Sequence, residues 1–216
     1  MPDPLSIPDI APIPPPERRT GDDRELARDR LGASLRAVLD ATVRTSANTA
    51  DIDAARAAVD AATTILTRLP AHRVQQDNPF HALSLVGGSA HPAGPQLYVE
   101  PSGDGVAGTV CLGPAFEGGP GLAHGGILAL MFDHAMGAAV FLAGYAAMTR
   151  TLDVVYLAPT PLDTDLHVTA QVDRVDGRKV QVSARVEHGT TVTATASAVF
   201  VALTRDNVAA IFHTPR

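Results

Sequence analysis

Two groups near the middle of the chain have residue types and spacing that could do chemistry: His124-Gly125-Gly126, and Asp133 a few residues on. Both belong to the stretch from Pro120 to Gly144, which opens on a Pro-Gly and Gly-Gly loop and runs into an apolar helix of about five turns. The first backbone N–H groups of a helix lack intrahelical partners and carry the positive end of its dipole. Glycine amides at that point can therefore hold a developing oxyanion, and the missing side chain lets a ligand come close. Asp133 is the single acid between Ile127 and Leu142. A carboxylate in low dielectric costs several kcal/mol unless it is paired or hydrogen-bonded, so something must compensate it. Among Leu130, Met131, Phe132 and Met136, desolvation is expected to raise its pKa and make it a better base near neutral pH.

Each of these residues also has a plain structural reading. Asp133 could form an ion pair with Arg150, and His124 reads more readily as a residue that donates a hydrogen bond to shape the Gly-Gly turn than as a catalytic base. His134 follows Asp133 but points about 100° away around the helix, which argues against a direct dyad. Thr149 reads equally as an ordinary strand threonine. The eight histidines form no HxH, HExxH or CxxC arrangement, and neither a GxSxG elbow nor a Walker loop is present. No cofactor or metal is implied.

Composition bounds the rest. At 216 residues and 45% hydrophobic, the chain can enclose one full core with accessory segments. A net charge of −6 without a basic cluster argues against a nucleic-acid surface. The one cysteine, Cys111, cannot make an internal disulfide and reads as a buried, inert thiol, consistent with a cytoplasmic location. Asp133 at the centre of the apolar stretch argues against a membrane span.

In chain order, residues 1–20 form a proline-rich leader, with seven prolines in the first 16 residues. Residues 21–70 read as a helical hairpin. Its first helix runs from Asp22 to Thr45 and its second from about Asp51 to Pro70, each with an apolar stripe. Residues 75–205 form the main domain, and 206–216 a tail. The domain begins with irregular chain to residue 95, then two short strands, Gln96–Glu100 and Val106–Leu112, ahead of the apolar helix. Four period-two strands follow: Met148–Leu157, Leu166–Val175, Lys179–Glu187 and Thr191–Leu203. Their short links suit antiparallel neighbours, and such a sheet must wrap its single helix.

Pro120-Gly121-x-x-His124-Gly125-Gly126, Asp133 nine residues after the histidine, Gly137 and Thr149 together resemble the PaaI-like acyl-CoA thioesterases of the hotdog superfamily. Tyr156-Leu-Ala-Pro159-Thr-Pro161, Gly177-Arg178-Lys179-Val180 and Val192-x-Ala-x-Ala-x-Ala198 resemble the same family's later strands. The likeness runs from about Phe80 to Thr204 and leaves the first 70 residues unmatched. Two turns, Asn78-Pro79-Phe80-His81 and His91-Pro92-Ala93-Gly94, compete for the polar turn that family carries ahead of its first strand.

The resemblance implies an α+β hotdog fold and hydrolysis of an acyl-CoA to a free acid and CoA. It assigns Asp133 as base or nucleophile, a glycine amide of the loop (Gly126 or Gly125) as oxyanion donor, and Thr149 as a group that places water or substrate. Arg178 and Lys179 could hold the coenzyme A phosphates, against the plain reading of a solvated hairpin tip. A non-catalytic acyl-CoA-binding hotdog, acting as sensor or regulator, is the alternative. Gly126 and Asp133 are about 10 Å apart along one helix, too far to serve one carbonyl. Two such helices antiparallel across an axis would bring them together, so an obligate homodimer or dimer of dimers with composite sites is expected.

Overall fold

The computed structural model describes residues 23–68 and 86–204. The proline-rich leader, the C-terminal tail and the turn Asn78–His81 lie outside the described residues. Two N-terminal helices, α1 (Asp23–Arg44) and α2 (Thr49–Leu66), precede the strands β1 (Glu100–Ser102) and β2 (Gly105–Cys111). A short 3₁₀ turn at Pro114–Phe116 leads to the central helix α3 (Gly125–Leu142). Then come β3 (Ala147–Tyr156), β4 (Asp165–Asp176), β5 (Lys179–His188) and β6 (Thr191–Ala202).

All six strands form one antiparallel sheet in the order β1-β2-β4-β5-β6-β3. Alternation along the last strands decides which face meets the helix. Leu166, Val168 and Ala170 of β4, Val180, Val182, Ala184 and Val186 of β5, and Ala194, Ala196, Ala198 and Phe200 of β6 are all buried. Small alanines on β6 let α3 approach, and the helix fills the curved face with Leu128, Met131, Phe132, Ala135 and Met136. This is the expected hotdog arrangement, a sheet wrapped around one helix. By length and composition α3 could cross a membrane; here its buried face, from Leu128 to Val140, packs into the core with the sheet.

Two expectations need correction. The first strand does not begin at Gln96. That residue adopts φ 64°, a left-handed conformation that breaks an extended run, and Leu97 N–H goes instead to Val86 O at 3.1 Å. Cys111 is exposed rather than buried, because alternation along β2 turns Val106 and Val110 inward and Cys111 outward. Its thiol is held above the ordinary range, chiefly by partial desolvation, with Asp163 and Asp165 adding to the effect.

The α1 helix is fastened to the sheet domain mainly by polar contacts. Arg36 donates to the carbonyls of Ser89 (3.0 Å) and His91 (2.9 Å), and Ser89 Oγ donates to Asp29 (2.6 Å). Ala115 N–H donates to Asp40 at 3.0 Å, and Arg44 pairs with Asp163. Gly32, the one buried residue of α1, lies flat on the backbone of Ala90. No residue of α2 is buried, and Ile52, Val59, Ile65 and Leu66 of its stripe are exposed in the single chain.

Gly32 gives a sign test. In a free helix Gly→Ala gains about 1 kcal/mol. Here a Cβ would meet Ala90 O at 2.8 Å, with backbone on both sides. Gly32→Ala is therefore expected to destabilise by about 1–3 kcal/mol in urea unfolding. Stabilisation by the propensity gain would mean that α1 does not rest on this loop.

Candidate functional site

The site is built on α3 and on β3, the edge strand beside it. His124 caps the helix: its backbone is extended, and its Nδ1 accepts the Gly126 N–H at 2.9 Å. The histidine is thus a loop-fixing residue, as acceptor rather than donor. The cap settles which glycine amide is engaged. Gly126 N–H is committed to His124, whereas Gly125 N–H has no hydrogen-bond partner among the described residues. Gly125 is fixed from its other side, its carbonyl accepting Tyr156 Oη at 2.8 Å. A Cβ at Gly125 would sit 3.0 Å from that ring, so close approach of the tyrosine requires glycine here.

One helix turn pair further on, Asp133 is half-buried, not sunk in the core. Its compensation is Thr149, whose Oγ1 donates to Asp133 Oδ1 at 2.7 Å. Among the described residues Asp133 takes part in no ion pair, with Arg150 or any other cation. The carboxylate keeps a second oxygen for other work.

Arg150 matters in a different way. Thr149 pairs with Phe200 and Thr151 with Val199, so Arg150 is an extra, bulged residue in β3. Partners in a ladder share a face, and Phe200 is buried toward the helix. Beyond the bulge, Leu152, Val154 and Tyr156 pair with the inward-facing Ala198, Ala196 and Ala194. Without the bulge Thr149 and Leu152, three residues apart, would lie on opposite faces; with it both face α3. The bulge is what aims Thr149 at Asp133. Neither it nor the Tyr156 hydroxyl was marked as functional by residue pattern, and the Arg-Thr-Leu run gives no local signal of the extra residue.

His134 takes the opposite side of α3 from the Thr149 contact. It bonds to the Leu97 backbone and packs against Gly87, where a Cβ would come within 2.8 Å of its ring. Burial pushes its pKa down; the Asp133 charge and the Leu97 contact oppose that shift without overcoming it.

Arg178 and Lys179 sit at the β4–β5 tip. Arg178 Nε donates to Ala202 O at 2.9 Å, while Lys179 pairs with Val201, which pairs in turn with Met148 of β3. Both lie at the Thr149 end of the sheet, two strands away. The turn His91–Gly94 lies against α1, its His91 carbonyl accepting from Arg36 at 2.9 Å. No group of three or more His, Cys, Asp or Glu side chains is placed to hold a metal among the described residues.

Similarity to known proteins agrees with the fold. The profile of the thioesterase superfamily matches residues 120–195, from the glycine loop into β6. The acyl-coenzyme A thioesterase THEM4 of Bos taurus is 41% identical over 81 residues, 36% of this chain and 33% of that protein. THEM5 of Homo sapiens, also an acyl-coenzyme A thioesterase, is 35% identical over 100 residues, 44% of this chain and 40% of that protein. The chain thus spans about a third to two fifths of the curated relatives it matches. A crystal structure of a thioesterase superfamily protein superposes with a TM-score of 0.72 at 30% identity, over 81% of this chain and 94% of its own. That share is more than residues 86–204 alone provide, so the likeness extends into the N-terminal region.

The partly buried His134 yields a pH prediction. With its folded pKa below the unfolded value near 6.5, neutral His134 binds fewer protons folded than unfolded. Its contribution to stability is intact above about pH 6.5 and is lost as pH falls toward the folded pKa. Urea midpoints measured from pH 7.5 to 5 should decline, and His134→Gln should flatten the decline. An identical slope in both proteins would contradict this account of His134.

Proposed function

The chain belongs to the thioesterase superfamily, and from that premise we propose that it is an acyl-CoA thioesterase whose active site is completed by a second copy of itself. The observation that carries the proposal is the pair at 2.7 Å, Thr149 Oγ1 on Asp133 Oδ1, with the second carboxylate oxygen left over. In the reaction Asp133 takes a proton from water, and the oxygen of that water attacks the thioester carbonyl carbon. The negative charge on the former carbonyl oxygen rests on Gly125 N–H at the helix N-terminus. When the intermediate collapses, the C–S bond breaks and CoA leaves as a thiolate. The proton held by Asp133 then returns to the sulfur, leaving a carboxylic acid and free CoA. Thr149 keeps one carboxylate oxygen fixed, so that the other faces the water.

The two parts stand eight residues apart on α3, about 12 Å along the axis. They also lie at opposite ends of β3: Asp133 is tied to Thr149 near its start and Gly125 to Tyr156 at its last residue. Strand β3 is an edge of the sheet, ten residues long, with its outer ladder unfilled among the described residues. Long open edges are templates for pairing. Two β3 edges joined antiparallel about a two-fold axis would set the Thr149 end of one against the Tyr156 end of the other. The Asp133 of one copy then faces the Gly125 of the other. In this arrangement Lys179, on the same rim as Thr149, is the residue we assign to the phosphates of CoA. Arg178 is already spent partly on the Ala202 carbonyl.

The alternative, a protein that binds acyl-CoA without cleaving it, would need no base, and the free carboxylate oxygen speaks against it. Steady-state hydrolysis of an acyl-CoA panel is the test. Asp133→Asn should lower kcat by about 10²–10⁴-fold, and Thr149→Ala by a smaller factor of about 10 to 100, since it removes one hydrogen bond to a charged group. Equal turnover by wild type and Asp133→Asn, or binding without turnover by wild type, would end the hydrolase reading.

A further inference from the structure

Beside the free amide of Gly125 lies a cleft of about 440 Å³ that the reaction as described does not use. Its floor and walls are Leu122, Ala123 and Leu128 from the entry to α3, and Leu157, Ala158 and Pro159 from the chain that leaves β3. Tyr156 and Thr160 complete the lining, but the tyrosine hydroxyl is committed to the Gly125 carbonyl. Leu157 is 58% exposed, a large aliphatic side chain turned to solvent at the rim of an apolar hollow. Among the described residues, no charged side chain lines the cleft.

Resting on the hydrolase reading, we propose that this cleft holds the acyl group and makes straight, unsubstituted medium-chain acyl-CoAs the substrate class. Two ends of an acyl-CoA compete for any space next to the oxyanion donor: the acyl chain and the pantetheine arm. The arm carries two amides and ends in phosphates; apart from the Gly125 amide, which the reaction uses, and the Thr160 and Tyr156 hydroxyls, the side chains here are aliphatic and none among the described residues is a cation. An alkyl chain gains roughly 0.8 kcal/mol for each CH₂ it buries. A water occupies roughly 30 Å³ of liquid, a chain carbon takes a similar share, and at normal packing density the cleft accommodates on the order of ten carbons. A hydroxyl or amino substituent gains less from these mostly aliphatic walls than the CH₂ it replaces, so the cleft favours unsubstituted acyl groups.

The position fits the composite site. In antiparallel pairing of two β3 edges, Leu157 falls opposite the start of the second copy's strand, where Met148 is likewise an exposed apolar side chain, at 54%. The cleft would be roofed at the point where that copy brings Asp133. The carbonyl carbon then sits between the Gly125 amide and the incoming carboxylate, with the chain running back along Leu122 and Leu128.

The experiment is a kcat/KM profile for acetyl-, butanoyl-, octanoyl-, decanoyl- and hexadecanoyl-CoA with wild type, Leu157→Ser and Ala158→Phe. Wild type should rise steeply from acetyl to about decanoyl and rise no further beyond it. Leu157→Ser should lower the octanoyl-to-acetyl ratio at least about tenfold, and Ala158→Phe should shift the optimum toward butanoyl. A flat wild-type profile, or ratios unmoved in both variants, would overturn the proposal while leaving the hydrolase intact. If the variants instead change acetyl-CoA relative to acetyl-N-acetylcysteamine without touching the chain-length ratio, the cleft belongs to the pantetheine arm and the proposal fails. Absence of any acyl-CoA hydrolysis by wild type would strike the hydrolase reading itself, a result distinct from these.

Discussion

A carboxylate placed on an otherwise apolar helix has to be held, and the hydroxyl that holds Asp133 comes from the edge of the sheet. Much of the architecture serves that one hydrogen bond. The helix α3 is fixed by its buried face against β4, β5 and β6, which sets Asp133 at a defined height. The edge strand β3 carries a bulge at Arg150 that turns Thr149 inward, and its far end carries Tyr156 to the Gly125 carbonyl. One strand therefore fastens α3 at two points, one beside the carboxylate and one beside the glycine amide. The hydroxyl of Thr149 engages one carboxylate oxygen of Asp133 and leaves the other without the permanent partner that an arginine would be.

The fastening also explains why the site looks unfinished within one chain. Helix capping uses one glycine amide, the tyrosine uses the neighbouring carbonyl, and the remaining Gly125 N–H has no partner among the described residues, in the lining of a cleft. Asp133 is likewise half-buried, open at the edge where the sheet stops. In the two-fold pairing proposed above, two half-sites would make two sites with no new residues. The α1 helix adds rigidity at a distance: its polar side chains clamp the loop 86–97, whose other side rests on His134, the residue after Asp133. This links the N-terminal region to the central helix through a loop held by polar contacts on the α1 side, whose Val86 and Leu97 join the core on the other.

Periodicity made most of the fold legible. The period-two runs of β4, β5 and β6 and the unbroken apolar helix appear within a residue or two of where the pattern puts them, because one-sided burial repeats every second position and is hard to mistake. The first strand was misplaced because Gln96 takes a left-handed backbone that its residue type does not announce. Cys111 was misplaced because a seven-residue strand offers few positions from which to judge its inward phase. At the site, Asp133 and the glycine loop could be found from residue type and spacing. Which glycine keeps a free amide could not, since it depends on the rotamer of the capping histidine. Thr149's orientation depends on a one-residue register shift against β6, a tertiary fact, and the Tyr156 contact joins positions 31 residues apart.

The central claim is that Asp133 and Gly125 serve one carbonyl only when they come from different copies of the chain. Subunit complementation tests it most directly. Asp133→Asn and Gly125→Ala, each inactive alone, are unfolded together, refolded as a mixture and assayed against an acyl-CoA that wild type hydrolyses. If the sites are composite, mixed dimers hold one intact site each, and statistical mixing restores about a quarter of wild-type activity. If each chain carries its own complete site, every site in the mixture keeps one lesion, and activity stays at the level of the separate variants.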